Sequence, residues 1–183
     1  ELKETAFAAE AAVFETSGTF HLHPDLNELA IHDWRRQDCC LPAGSTTVDL
    51  KGDWTARLGA GDALLLEETR GAASGVVEDA DASHRQVVRI TGVETAFDPL
   101  TSQTLTRVRW DAADALRFPL CVRAQGVAPP IAVARGNLVL ASHGQTVTEW
   151  YPNEPGSGPG IETGTRPFRF RLQRGPLSYR VKP

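Results

Sequence analysis

The residues of this chain best suited to chemistry lie near its start: His21, His23, His32, Cys39 and Cys40. Imidazole and thiolate are ligands of zinc, and a structural zinc site gathers four of them around one ion. The spacing here matches no compact zinc pattern. Neighbours in an extended chain point to opposite faces, so Cys39 and Cys40 reach a common ion only if the chain turns between them. Packing of one cysteine in the core, where a thiol behaves as a small apolar group, is the simpler reading. Asp79-Ala80-Asp81-Ala82-Ser83 places oxygen ligands at alternating positions, as a calcium loop does. The sixth and twelfth positions of an EF-hand loop, glycine and glutamate, hold His84 and Ile90, which favours an acidic solvated turn.

Nucleophilic chemistry has even less support. Ser142-His143, or Cys121 with any histidine, could begin a hydrolytic site, but a nucleophile needs a base within reach and a third group to orient that base. The Gly-x-Ser-x-Gly elbow is absent. No catalytic, cofactor-binding or metal-binding residue is assigned, and no cofactor is expected. The most distinctive charge feature is Arg169 with Arg171, flanked by Arg166, Arg174 and Arg180. Two readings stay open for it. One is a solvated strand face whose charges discourage edge pairing; the other is a protein interface where guanidinium forks meet a partner's carboxylates.

The elements that would position these groups belong to an ordinary globular chain. Its 183 residues are 41% hydrophobic and 23% charged, and a chain of this size buries roughly 70% of its unfolded surface. No apolar run approaches the ~18 residues of a membrane span. With 19 basic and 23 acidic residues, the net charge of −4 offers no strong field to a nucleic acid. Three cysteines, an odd number, make no disulfide framework of the secreted kind, so folding in a reducing cytosol is the default expectation. Glu1-Leu2-Lys3-Glu4 does not open a signal peptide. The absence of any Met, position 1 included, is expected of a fragment or a processed chain.

Residues 2–15 carry Leu2, Ala6, Ala9 and Val13 at the spacing of an amphipathic helix, stopped by Ser17-Gly18. Thr19–Leu22 and Leu29–Trp34 are short strand candidates. Across 38–68, Val48 with Leu50, Trp54 to Leu58, and Ala63 to Leu66 read as consecutive strands of an antiparallel meander. They are separated by Lys51-Gly52-Asp53 and Gly59-Ala60-Gly61-Asp62, the punctuation of tight hairpins. Residues 70–85 lack periodicity and suggest a surface excursion. Gln86–Val93 and Leu105–Trp110 form a further strand pair around the turn Phe97-Asp98-Pro99-Leu100. Asp111 caps one helical turn, and Phe118–Val122 is another strand. Ala128-Pro129-Pro130 marks a boundary, after which 131–134 and 138–141 form a hairpin about Arg135-Gly136-Asn137. Thr146–Trp150 and Pro167–Gln173 are later strands, separated by a Pro- and Gly-rich loop at 152–164.

Several stretches, taken in order, resemble the baseplate assembly proteins of phage tail-like contractile injection systems, relatives of the baseplate J or wedge proteins of contractile tails. They are IHDWRRQDCCLPAGSTTVDLKG at 31–52, LGAGDALLLEE at 58–68, DADASHRQVVRIT at 79–91, DPL at 98–100 and VRWDAADALRFPL at 108–120, followed by ARGNLVLASHG at 134–144 and RGPLSY at 174–179. None is a catalytic motif. The resemblance implies an architectural subunit, not an enzyme, with no cofactor or catalytic residues to carry over. Members of that family are much longer, which implies that this chain is an internal domain.

The expected fold is mostly β, an antiparallel barrel or sandwich with a short N-terminal helix and a smaller β-rich extension. The expected division is 1–27 for the helix and lead-in, 28–123 for the core, and 124–183 for the extension. The expected function is assembly: a domain of a baseplate subunit, made in the cytoplasm and then built into a particle. Its partners would be other baseplate subunits and copies of itself, with no nucleic acid, membrane span or small-molecule substrate. Two rivals stand beside this. One is a glycan- or surface-binding β module using Trp150 and Tyr151; the other is a hydrolase or metal enzyme built from His32, Cys39 and His143. Reversing the charge of both Arg169 and Arg171 is expected to weaken particle assembly while leaving the domain folded. Unimpaired assembly of that variant would remove the arginine interface.

Overall fold

The computed structural model describes residues 12–16, 20–144 and 146. Among them ten strands run in chain order: β1 (Phe14–Thr16), β2 (Leu29–Ala30), β3 (Cys39–Leu41), β4 (Thr47–Lys51), β5 (Ala63–Glu68), β6 (Arg85–Asp98), β7 (Gln103–Trp110), β8 (Leu120–Arg123), β9 (Ala132–Arg135) and β10 (Ala141–His143). Phe20–Val139 is one compact unit. β1 and β10 belong to the other, where they pair antiparallel with Phe14 opposite His143.

The large unit is built on one six-stranded antiparallel sheet, in the order β2-β9-β5-β6-β7-β4. It curls into a half-barrel. Ile31, just past β2, bridges to Leu50 of β4, and the His32 amide donates to the Asp49 carbonyl at 2.8 Å. The two edges of the sheet therefore touch, which removes much of the unpaired backbone an open sheet would leave. Alternate residues point inward, as the strand period requires. Leu29, Ile31, Val48, Leu50, Leu64, Leu66, Val88, Ile90, Val108, Trp110, Ala132 and Ala134 form the core together with Leu26, Leu58, Leu116, Leu120 and Val122.

β6 serves two partners along its 14 residues. Its first part pairs with β5 and its later part with β7. The register shifts between Ile90 and Gly92, so Thr91 is an inserted residue. Such a bulge bends a strand and flips the side that its alternate residues face. Before it Val88 and Ile90 point inward; beyond it Val93 does. A second small sheet pairs β3 with β8.

The fold is mostly β and antiparallel, as expected, but the pairing differs. The stretch 38–68 is not a run of consecutive hairpins: β4 pairs with β7, and β5 lies between β6 and β9. Trp54–Leu58 is not a strand but a turn, in which the Arg57 and Leu58 amides both donate to the Trp54 carbonyl at 2.9 Å. The glycines do mark reversals, since Gly52 has φ of 98° and Gly61 of 97°. A turn signal fixes where the chain bends, whereas pairing is settled by which apolar faces meet. Likewise 136–140 forms no hairpin with β9. The Gly136 amide donates to Leu26 O at 2.8 Å, and the Asn137 side-chain amide donates to His23 O at 2.7 Å and Asn27 Oδ1 at 2.6 Å.

Other expectations fare unevenly. β9 is inserted between β2 and β5, so the boundary expected at 128–130 lies inside the compact unit. Phe20–Leu22 is not a strand. Of the helix expected over 2–15, residues 2–11 lie outside the described residues, while Phe14 and Glu15 are in β1. Among the described residues the helical turns are three 3-10 segments, one of them Ala112–Asp114, where Asp111 accepts from the Ala113 amide as its cap. The excursion over 70–84 is folded on the unit. Gly75, with φ of +73°, sits where a Cβ would meet Val127 Cγ1 at 2.8 Å. No helix among the described residues is long and apolar enough to cross a membrane.

The cysteine expectation is corrected. β3–β8 pairing sets Cys40 opposite Cys121, and the two form a disulfide across a sequence separation of 81. Cys39 is free. Replacing Cys40 and Cys121 together by serine is expected to lower the unfolding free energy by about 4.5 kcal/mol, the chain-entropy value for a loop of this length. Urea unfolding checks it; an unchanged midpoint would mean that the bond adds nothing to stability.

Candidate functional site

The chemistry-bearing residues that the fold brings together lie at the far end of the β6–β7 hairpin. Asp98, the last residue of β6, is 1% exposed. Its Oδ1 accepts from the Leu100 amide at 2.9 Å, and its Oδ2 accepts from Thr101 Oγ1 at 2.7 Å and from His32 Nε2 at 3.0 Å. The Thr101 bond, joined by those from the Leu100 amide and His32, outweighs desolvation and holds the Asp98 carboxyl below its usual range. The turn beyond is tight: Ser102 is left-handed at φ 53°. On this anchored turn Phe97 is 58% and Leu100 77% exposed.

His32 arrives there by strand alternation. Ile31 faces the core, so the next residue faces outward. By register, Asp98, Gln103, Leu105 and Lys51 share that outer face. Past His32 the chain makes a compact turn. Asp33 Oδ1 accepts from the Arg35 amide at 3.0 Å, and the Asp33 carbonyl accepts from the Arg36 amide, also at 3.0 Å. Trp34 and Arg35 are both left-handed, with φ of 50° and 55°. Such backbone costs roughly 1–3 kcal/mol per non-glycine residue and collects at functional sites. The Trp34 ring meets the His32 ring edge-on at 4.8 Å between centroids.

Between this turn and the sheet lies a cleft of about 420 Å³, lined by His32, Arg35, Arg36, Lys51, Gln103 and Arg123 among others. Asp33 also lines it, and its Oδ2 accepts from Arg123 at 3.0 Å. Burial works against the charge of Asp33, but the hydrogen bonds from Arg123 and the Arg35 amide, with the charge of Lys51, outweigh it and hold the carboxyl below its usual range. Farther along the outer face the charges are matched. Arg107 forks onto Asp49 at 2.8 and 3.1 Å, and Arg109 onto Glu94 at 3.0 and 2.6 Å.

The residues singled out in the sequence are dispersed. His21 and His23 are exposed, Cys40 and Cys121 are bonded to each other, and among the described residues no three His, Cys, Asp or Glu side chains converge as a metal site. Burial, followed by the nearby charge of Asp33, raises the pKa of the Cys39 thiol, the opposite of an activated nucleophile. The oxygens of 79–83 are engaged within their own loop: Ser74 Oγ donates to Asp79 Oδ2 at 2.6 Å, and the Ser83 amide and hydroxyl donate to Asp81 Oδ1 at 2.8 and 2.6 Å. Ser142 and His143 are neighbours in β10, and the His143 ring packs on Phe14 at 5.2 Å. Trp150, Tyr151, Arg169 and Arg171 lie outside the described residues. Sequence reading missed Asp98, Lys51 and Arg123 as companions of His32. The one local signal was Asp98-Pro99, an aspartate placed to bond its own turn.

No family model, curated protein or solved structure matches the chain.

The depressed carboxyl of Asp98 makes a prediction about acid. A group whose folded pKa lies below its unfolded value of about 3.9 stabilises the fold fully above that pH. The contribution is lost as pH falls through the folded value. Stability is therefore expected to decline below about pH 4, and Asp98→Asn should flatten part of that decline, with Asp33 retaining a share. Urea midpoints measured from pH 7 to pH 2 check it. An acid limb identical in both proteins would show that Asp98 has no part in it.

Proposed function

We propose that this chain is an assembly domain of a baseplate subunit in a contractile, phage tail-like particle, acting through protein–protein contacts and not through turnover. The sequence resemblance over 31–144 supports the particle. The observation that supports a contact role is the hairpin end, where Phe97 and Leu100 stand exposed on a turn fixed by the buried Asp98. Aromatic and aliphatic anchors on a rigid support are what a protein interface concentrates its energy in. The sheet adds to this by its shape. Its edges touch at Ile31 and Leu50, so partners meet side chains at the hairpin end and on the outer face. In a particle with many copies, weak contacts of this kind sum through multivalency.

Phe97→Asp with Leu100→Asp, placed in the full-length subunit, is expected to reduce its incorporation into particles at least tenfold. The substituted domain itself should unfold within about 0.5 kcal/mol of the parent, since both side chains are at the surface. Normal incorporation would overturn the contact role of this hairpin. A parent reading frame lying apart from tail-sheath and tube genes would count against the particle itself.

A further inference from the structure

The outer face carries two kinds of charge. Over Asp49, Glu94, Arg107 and Arg109 every guanidinium has its carboxylate. In the cleft beside the hairpin end, four cations, Arg35, Arg36, Lys51 and Arg123, stand against the single carboxylate of Asp33. Arg123 is paired with Asp33. Among the described residues Arg35, Arg36 and Lys51 make no ion pair within 4.0 Å. This excess of positive charge belongs to a chain whose net charge is −4. Gathering like charges costs free energy, and so does the left-handed backbone of Trp34 and Arg35 that presents the two arginines.

A second, independent feature lies in the wall of the same cleft. His32 is 4% exposed, and its Nδ1, the nitrogen not bonded to Asp98, is buried without a hydrogen-bond partner. Buried polar atoms are nearly always satisfied, so one left without a partner calls for an explanation such as a bound water or ion. Gln37 and Gln103 add side-chain amides to the lining.

We propose that this cleft binds a dianionic oxyanion, the phosphate or sulfate group of a small monoester. A single carboxylate needs one guanidinium fork. Three unmatched cations on two chain segments fit a group with about two negative charges and three acceptor oxygens. At about 420 Å³ the cleft is larger than the anion alone and has room for the carbon skeleton that bears it. Arg35 and Arg36 close over the anion from the turn, and Lys51 meets it from β4. All of its lining residues belong to this chain, so the chain by itself is enough to test it.

The test is titration calorimetry of the full 183-residue chain with inorganic phosphate, inorganic sulfate, phenyl phosphate and phenyl sulfate, against acetate at matched ionic strength. Saturable binding of a phosphate or a sulfate probe, with none for acetate, is expected, and the stronger of the two names the ester. Arg36→Gln and Lys51→Gln, which avoid the left-handed positions, should each weaken binding at least tenfold. Arg89→Gln, outside the cleft, should leave it unchanged. Circular dichroism shows whether each variant is folded. Equal heats for acetate, or full binding by folded Arg36→Gln and Lys51→Gln, would overturn the proposal.

Discussion

The large unit depends on the meeting of its two sheet edges at Ile31 and Leu50. β2 is only two residues long and β4 five, and neither could hold a sheet edge by itself. Once Ile31 is seated inside beside Leu50, alternation leaves the next side chain no choice but the outer face. His32 therefore lands over the end of the β6–β7 hairpin, where Asp98 accepts from it. The turn at 33–37, the cleft beneath it and the fixed hairpin end follow from that one contact. The bulge at Thr91 is its counterpart in β6, because it resets which residues of the later half face inward.

Charge on the outer face is organised by the same registry. Directly opposed residues of β4, β7 and β6 set Asp49 beside Arg107 and Arg107 beside Glu94, with Arg109 one pair along. Cross-strand ion pairs of this kind each contribute a few tenths of a kcal/mol to about 1 kcal/mol. The guanidinium of Arg107 is held all the more firmly in its charged form by the hydrogen bonds it donates to Asp49. At the hairpin end the ladder gives way to Leu105, fully buried, and then to Lys51 and Gln103 in the cleft. Asp49, Glu94, Arg107 and Arg109 pair among themselves, whereas the cleft gathers four cations around one carboxylate. Like charges gathered in this way cost stability, a cost that a bound anion would lower.

Sequence reading found the strand class and most of the strand positions. Alternation at Leu105–Trp110 and the β-branched run at 86–93 are local properties, and both became strands. It could not find the partners. Gly52 and Gly61 announce reversals, yet the strands they flank pair with residues 18 to 70 positions away. The same limit hid the disulfide and the His32–Asp98 pair, whose members are 81 and 66 residues apart. In each case the chemistry-bearing residue was visible by type, and its companion was set by register alone. Cys39 and Cys40 show the same limit, since neighbours in a strand face opposite ways and only Cys40 meets Cys121.

Anchoring explains why exposure and rigidity coexist at this end of the molecule. Phe97 and Leu100 are more than half exposed, and exposed hairpin turns ordinarily sample many conformations. Here the intervening Asp98 is buried and bonded to three donors from two separate segments, which fixes the backbone on both sides of it. A surface already held in one conformation gives up little entropy when something binds to it. The same argument reaches the cleft, since His32 joins Asp98 to the turn that carries Arg35 and Arg36. One buried carboxylate thus preorganises two different surfaces. Its loss would loosen both, even though neither apolar side chain nor either arginine touches it through an ion pair.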